Sequence, residues 1–462
     1  MHETKLNAQL LLGLLVPCCL LSVNVQARER ADQPNIVFIL ADDLGCGDLG
    51  VTGHPYARSP NLDQLAREGI RFEQAYMAGA WCAPSRYGLM SGVFPARHFS
   101  QTRLLPVDRP CVTSVLHDAG YATAHFGKWH MGDKKQKAPP PEAYGIDESF
   151  TTQSSGAGWS AEARKDPHYR EKTTPHYVNL TIDFIRRHKN RPFYVNLWIY
   201  PTHSYINPTP EQLAVYQDLI VDVNDFENPL QRDFLNFVAQ HGDVQAAMRA
   251  YCADVTAMDA EVGRLLDALA ALKLRENTIV VFSSDNGPGP LCNNWDNIVK
   301  RYGEKPLLLN SVGSARQFRD RKISLHEGGI RAPLIVRWPR RIRAGTVDTE
   351  TLWCGVDYLP TVAALAGAAL PAADLDGEDL SAAFLGSAQL RTQTLFWSDR
   401  PQWSALRDNQ WKAHLRGDQF SLYDLSRDPS ESNNVAGRYP RQARQYHNEL
   451  RQWIESVHEP LP

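Results

Sequence analysis

The stretch NIVFILADDLG, Asn35–Gly45, runs an unbroken apolar segment straight into two adjacent carboxylates. A strand with one wet face alternates apolar and polar residues, whereas a strand covered on both faces does not. Ile36–Leu40 therefore reads as a buried parallel strand. PFYVNLWIY (Pro192–Tyr200), NTIVVFSS (Asn277–Ser284) and APLIVRWP (Ala332–Pro339) repeat the pattern. Between them lie helical patterns. SPNLDQLAREGIRF (Ser59–Phe72) has Ser59 or Asn61 near its cap and Gly69 as its stop. Met248–Leu272 is long and amphipathic, and CVTSVLHDAGYATAHFG (Cys111–Gly127) reads as helix, glycine stop, strand. Strands alternating with helices place the chain in the α/β class, with a large, mostly parallel sheet sandwiched by helices.

After about Gly386 the texture changes. TLFWSD (Thr394–Asp399), Ser404–Gly417 and Phe420–Pro429 look like short antiparallel strands, and Tyr439–His458 like a helix. This predicts a smaller C-terminal antiparallel-sheet plus helix subdomain over 389–462, after a catalytic domain over 28–388. Residues 1–27 have the form of a signal peptide: Lys5, the apolar run Leu10–Val23, and small residues at Val25 and Ala27. That run is short for a bilayer span, and no later one is longer. An exported product, periplasmic or secreted, is expected. The net charge of −3 argues against a general nucleic-acid binder. Beyond Cys18 and Cys19, the cysteines at 46, 82, 111, 252, 292 and 354 have no zinc-like spacing, and one disulfide bridge among them is possible. Stretches 204–240 and 287–321 lack clear periodicity, the mark of long irregular loops, which in a compact domain are usually functional or disordered.

In an open α/β sheet, ligands gather beyond the carboxyl ends of the strands. Two strands here end alike: the first in Asp42 and Asp43, the Asn277–Ser284 strand in Asp285 and Asn286. If these strands are neighbours, three carboxylates and an amide oxygen meet, a set suited to calcium or magnesium rather than zinc. Either pair alone also fits a simple turn. Positive groups follow other strands: Lys128 and His130 in GKWHMG, expected on one face of an extended segment, His203 in PTHS, and Lys322 before a glycine turn. Singly, each reads more readily as a surface or structural residue, and the functional reading rests on their joint occurrence at strand ends. In WCAPSRYGLMSG, Trp81–Gly92, Arg86 lies one helical turn after Cys82. Cys82 is open to four readings: disulfide partner, core filler, thiol nucleophile, or precursor of a modified residue.

Together these residues are recognisable. CAPSR (Cys82–Arg86), GYATAHFGKWHMG (Gly120–Gly132), NIVFILADDLG, SSDNG (Ser283–Gly287), HEGGIRAPLIVRWP (His326–Pro339), VDYLPTVAALAG (Val356–Gly367) and WKAH with LYDLSRDPSESNN (Leu422–Asn434) resemble, in order, the blocks of the formylglycine-dependent sulfatases of the alkaline phosphatase superfamily. The resemblance spans essentially the whole chain after residue 27. It implies an alkaline phosphatase-like fold and hydrolysis of sulfate esters. Cys82 would be oxidised to Cα-formylglycine by a formylglycine-generating or anaerobic sulfatase-maturating enzyme, its hydrate acting as nucleophile. Asp42, Asp43, Asp285 and Asn286, with an oxygen of residue 82, would bind one calcium ion. Arg86 and Lys128 would steady the diol, and His130 would be the base in breakdown of the sulfated adduct. His203 and Lys322, with Lys128, would bind sulfate, and His203 and Lys322 would help protonate the leaving oxygen.

Two positions depart from the pattern: Tyr87 stands where small residues are common and would narrow or line the pocket, and Cys46 stands where an aromatic is usual. The competing readings are an arylsulfatase of small aryl sulfates, a phosphoester or phosphonate monoester hydrolase of the same superfamily, and a non-enzymatic binding protein. The last predicts loss of a motif residue, and none is missing. One Asn-x-Ser/Thr acceptor, at Asn179, and few cysteines suggest a bacterial enzyme acting on a sulfated polysaccharide or oligosaccharide. Tyr205, Asn293, Trp295 and Arg319 are the candidates for sugar specificity.

Overall fold

The computed structural model describes residues 33–98, 104–132, 139–152, 165–166, 168–204, 206–289, 312–400 and 402–458. The leader (1–27), Cys292, Tyr205, Asn293 and Trp295 lie outside them. Ten strands come first: β1 (Asn35–Ala41), β2 (Ile70–Phe72), β3 (Ala75–Tyr76), β4 (Ala122–Lys128), β5 (Glu148–Thr152), β6 (Phe193–Trp198), β7 (Thr278–Ser284), β8 (Leu334–Arg337), β9 (Thr346–Asp348) and β10 (Trp353–Cys354). Eight of them form one sheet in the order β5-β4-β6-β1-β7-β8-β2-β9. The five from β5 to β7 pair in parallel, and β8 runs antiparallel to both β7 and β2.

The uninterrupted apolar run of β1 follows from its central place. Val37, Ile39 and Ala41 enter one core with Leu62, Phe184, Met248 and Leu265, while Ile36, Phe38 and Leu40 enter the other with Leu89, Val112 and Leu359. Successive residues face opposite sides, so both faces must be apolar. The first face is covered by α1 (Pro60–Glu68), the second by α2 (Cys82–Ser91) and α3 (Val112–Asp118). Further along the chain, α4 (Thr173–His188) joins the first layer. The stretch 204–240 is not wholly irregular: it contains α5 (Pro210–Ala214) and α6 (Pro229–His241). Their signals are Thr209 and Asn228, each before a proline, whose side chains accept from Gln212 N and Leu230 N. The long helix α7 (Val244–Ala271) completes the first layer.

Ser59 is the residue before α1, but its side chain makes no cap bond; its Oγ donates to Asp63 instead. The short α8 (Glu327–Ile330), α9 (Tyr358–Ala366) and α10 (Ser381–Phe384) follow. The C-terminal strands β11 (Leu395–Arg400), β12 (Trp403–Asp408), β13 (Trp411–Arg416) and β14 (Gln419–Asp424) form an antiparallel meander, packed by α11 (Pro440–His458). Trp397, Ala405 and Trp453 share an apolar cluster with Tyr76, Ala78 and Phe94, which joins this sheet to the rest of the molecule. Cys46, Cys82, Cys111, Cys252 and Cys354 are free thiols, so no disulfide is formed among the described residues.

Candidate active site

The register of the central strands assembles the site. Ala41 pairs with Ser284, so the residues just beyond, Asp42 and Asp285, emerge side by side. Asp43 adopts a left-handed φ of 66°, which turns the chain so that both carboxylates of the pair serve one locus. Its amide donates to Asp285 Oδ1 at 3.2 Å, and Asn286 Nδ2 donates to Asp43 Oδ1 at 2.8 Å. All four residues are buried. Cys82 is the first residue of α2, and its Sγ lies 3.2 Å from Asp42 Oδ1 and 3.7 Å from Asp43 Oδ1. The residue before it, Trp81, makes no side-chain cap, and with Pro84 lacking an N–H the leading amides are those of Cys82 and Ala83.

Three permanent cations neutralise the three carboxylates. Arg86, one turn into α2, donates to Asp285 Oδ2 through Nη2 (2.6 Å) and Nε (2.9 Å), and to the Lys128 carbonyl through Nη1 (2.8 Å). Its guanidinium lies over Trp198, 5.1 Å from the ring centre. Lys128, the last residue of β4, reaches Asp42 Oδ2 at 2.6 Å. Lys322 Nζ contacts both oxygens of Asp43 (2.6 and 2.7 Å) and Cys82 Sγ (3.2 Å). His203 Nε2 stands 3.8 Å from Asp43 Oδ2.

These pairings set the protonation states. Burial works against the Asp42 carboxylate, but Lys128, His203, Arg86 and Lys322 outweigh it and hold it well below the ordinary value. Asp43 is likewise lowered: burial opposes ionisation, and Lys322 with His203 overrides it. Asp285 is pushed up to about 6, by burial and then by Asp42. Burial, then Lys128 and Arg86, pushes His130 down to about 2, so its imidazole is neutral. Burial also brings His203 down to about 4.

The donor set fits a hard divalent cation. Asp42, Asp43 and Asp285 supply carboxylate oxygens, the buried Asn286 Oδ1 has no hydrogen-bond partner among the described residues, and the Cys82 thiol is the soft donor that an oxygen would replace on maturation. Asp42, Asp43, Cys82 and His203 offer ligand atoms within 4.8 Å of one another.

Two expectations are corrected. Lys128 and His130 do not share a face of one extended segment: β4 ends at Lys128, and His130 has a φ of 61°, so a left-handed turn sets its direction. Its buried Nδ1 has no hydrogen-bond partner among the described residues. Tyr87 packs in the apolar cluster of Ala83, Leu89 and Met90. One helical step past Arg86 rotates its side chain away from the charged face.

Other residues shape the site without being singled out by sequence. Buried Asp48, in the glycine-flanked GCGDLG, accepts from Gly45 N, Ser314 N and Tyr251 Oη, each at 2.5 Å. Tyr251 Oη contacts Thr202 Oγ1 at 2.9 Å, and Thr202 Oγ1 donates to the Asp43 carbonyl at 3.2 Å. Asp48 thus braces the loop that carries the carboxylate pair. Asp48→Ala orphans three buried donors and is expected to cost about 3 kcal/mol in urea unfolding, with activity falling in parallel. A loss under about 1 kcal/mol would mean that water replaces the carboxylate.

A strand-end cluster of alternating charge beside a helix N-terminus is a setting that can hold a small anion. Comparison supplies the class. The sulfatase family model matches residues 34–368, and the model for the C-terminal region of N-sulphoglucosamine sulphohydrolase matches 314–459. Arylsulfatase A from Homo sapiens is 31% identical over 456 residues, covering 88% of this chain and 84% of the relative. N-acetylgalactosamine-6-O-sulfatase from Bacteroides thetaiotaomicron is 28% identical, covering 98% of this chain and 99% of the relative. The crystal structure of Ps i-CgsB in complex with k-i-k-neocarrahexaose superposes with a TM-score of 0.75 at 26% identity, covering 93% of this chain and 94% of that one. The chain belongs to the sulfatase family, within the alkaline phosphatase superfamily, and is a sulfuric ester hydrolase. No helix among the described residues is long and apolar enough to cross a membrane.

Proposed function

We propose that this enzyme removes sulfate esters from carbohydrate, with residue 82 matured to formylglycine and calcium held by Asp42, Asp43, Asp285 and Asn286. The observation that carries the reading is the setting of Cys82. Its sulfur, at the first turn of α2, lies against Asp42, Asp43 and Lys322 Nζ, where a matured residue would meet both the carboxylates and an incoming anion, and burial, then Asp285 and Asp42, pushes the unmodified thiol above its ordinary value. A sulfated cysteine would have no exit. An aldehyde hydrate supplies one hydroxyl to attack sulfur and a second through which sulfate is released. Calcium, when bound, favours the ionised attacking hydroxyl and offsets charge on the sulfuryl oxygens.

The chain's own side chains do the rest. Arg86 and Lys128, locked to Asp285 and Asp42, steady the hydroxyls of residue 82. The negative charge of the sulfated residue raises His130 above its resting value, and the neutral imidazole then accepts the proton of the second hydroxyl as sulfate leaves. His203 and Lys322, with Lys128, face the incoming sulfate. Its negative charge raises the His203 pKa, and His203 and Lys322 donate to the leaving oxygen.

The carbohydrate class is supported by the names of the Bacteroides thetaiotaomicron relative and of the oligosaccharide bound to Ps i-CgsB. Export is supported by the leader pattern, and bacterial relatives agree with a bacterial origin. Matched aryl sulfate and aryl phosphate esters test the anion. Sulfate release is expected to exceed phosphate release by at least about 100-fold, and faster phosphate release would overturn the reading. A panel of sulfated sugars of defined linkage should then give turnover above that of the simple aryl sulfate.

A further inference from the structure

Lys322 sits in a segment that does not hold its own shape. Asp320 (φ 62°) and Ile323 (φ 77°) flank it in left-handed conformations, and an isoleucine there is strained. On the catalytic side the segment is tied by Lys322 N to Pro288 O (3.0 Å) and Ile323 N to Ala80 O (2.7 Å). It crosses the end of β7 so closely that a Cβ on Gly287 would lie 1.9 Å from Gly328 O. Such a conformation persists only if the surroundings impose it.

The other constraint comes from the C-terminal sheet. Lys412 and His414, two apart on β13, project to the same side. Lys412 Nζ donates to Glu327 Oε1 (2.8 Å) and Leu325 O (3.1 Å). Glu431, itself at φ 52°, accepts from the Glu327 amide at 2.7 Å and meets His414 Nε2 at 2.7 Å. Arg319 Nη1 donates to the Glu431 carbonyl at 3.0 Å. Glu327, Lys412, His414 and Glu431 are all buried. His326, His414 and Glu431 approach closely enough to hold a metal ion. Their bonds assign them otherwise. The Trp403 indole donates to His414 Nδ1 at 3.1 Å, so Nε2 carries the proton and gives it to Glu431. His326 Nδ1 is paired with Asp320 Oδ2 at 2.7 Å.

We propose that Glu431, with His414 and Lys412, is a positioning unit: the C-terminal sheet, acting through the start of α8, sets the place of Lys322 Nζ beside residue 82. The inference rests on the reading of Lys322 as a sulfate-binding group. Glu431→Gln tests it with almost no change of shape. Glu431 receives two donors, the Glu327 amide and His414 Nε2–H, and a glutamine can accept only one of them. The other then meets an NH₂ group, and the Trp403 indole blocks escape through the second imidazole tautomer.

The assay uses the full chain, an aryl sulfate, and formylglycine content measured by mass spectrometry for normalisation. Glu431→Gln is expected to lower kcat/KM about 10-fold, with KM raised as well as kcat lowered because Lys322 binds sulfate. In a double-mutant cycle, Glu431→Gln should add nothing to Lys322→Ala. If the double variant is slower than Lys322→Ala by the full Glu431→Gln factor, the unit acts elsewhere and the proposal fails. Should Glu431→Gln not fold, Lys412→Met carries the same cycle with the same two outcomes. Absence of turnover in the parent enzyme would refute the parent reading alone. Calorimetric binding of inorganic sulfate then decides: Glu431→Gln should weaken it in the parent background and leave it unchanged beside Lys322→Ala, and any other pattern overturns the proposal.

Discussion

Cys82→Ala is expected to abolish sulfate-ester turnover, by at least about 10,000-fold, while leaving the protein folded. Cys82 is buried, and its sulfur lies against two carboxylates and an ammonium group. Alanine removes the sulfur alone, so the stability change should stay under about 1 kcal/mol. The same residue provides an independent readout. In the peptide AGAWCAPSR, Ala78–Arg86, the aldehyde form should be lighter than the thiol by about 18 Da. A fully active enzyme carrying only the thiol would sink the formylglycine mechanism, whatever the kinetics of the alanine variant.

The second large effect is expected at Asp285. Asp285→Asn keeps an oxygen that can accept from Arg86 but removes one negative charge from the cluster. Asp285→Ala is the harsher change, because it leaves a fully buried guanidinium without its main partner. The asparagine variant should hold less than half of the calcium retained by the parent after dialysis, measured by elemental analysis, and should lose about 100-fold in kcat. Undiminished calcium would remove Asp285 from the proposed ligand set. Undiminished kcat with lost calcium would remove the ion from the proposed chemistry.

Much of this site was legible in short stretches of sequence. An apolar run ending in Asp42 and Asp43, and another ending in Asp285 and Asn286, are enough to place carboxylates at the edge of a sheet, because burial on both faces forces an unbroken apolar pattern. The Cys82-to-Arg86 spacing is enough to put both on one side of a helix. The reading thinned in the stretch 204–240: α6 was missed there, although Leu230, Phe234, Leu235 and Val238 recur at helical spacing and Asn228 and Pro229 mark its start. Tyr87 and His130 were misdirected. A single helical step and a single left-handed residue each reverse where a side chain points, and neither changes composition.

Local pattern thus determined the strands, the helices and the kinds of side chain at their ends. It did not determine who meets whom. That β1 lies between β6 and β7, that Arg86 hydrogen-bonds Asp285 while also standing 3.7 Å from Asp42, and that Glu431 reaches the start of α8 were decided by packing. The physical reason is range. Backbone geometry and burial act over a few residues and leave their mark in each segment. The pairing of charges across some hundreds of residues is chosen only when the two cores close around the sheet, and a buried ion pair has no pattern in either strand that announces its partner.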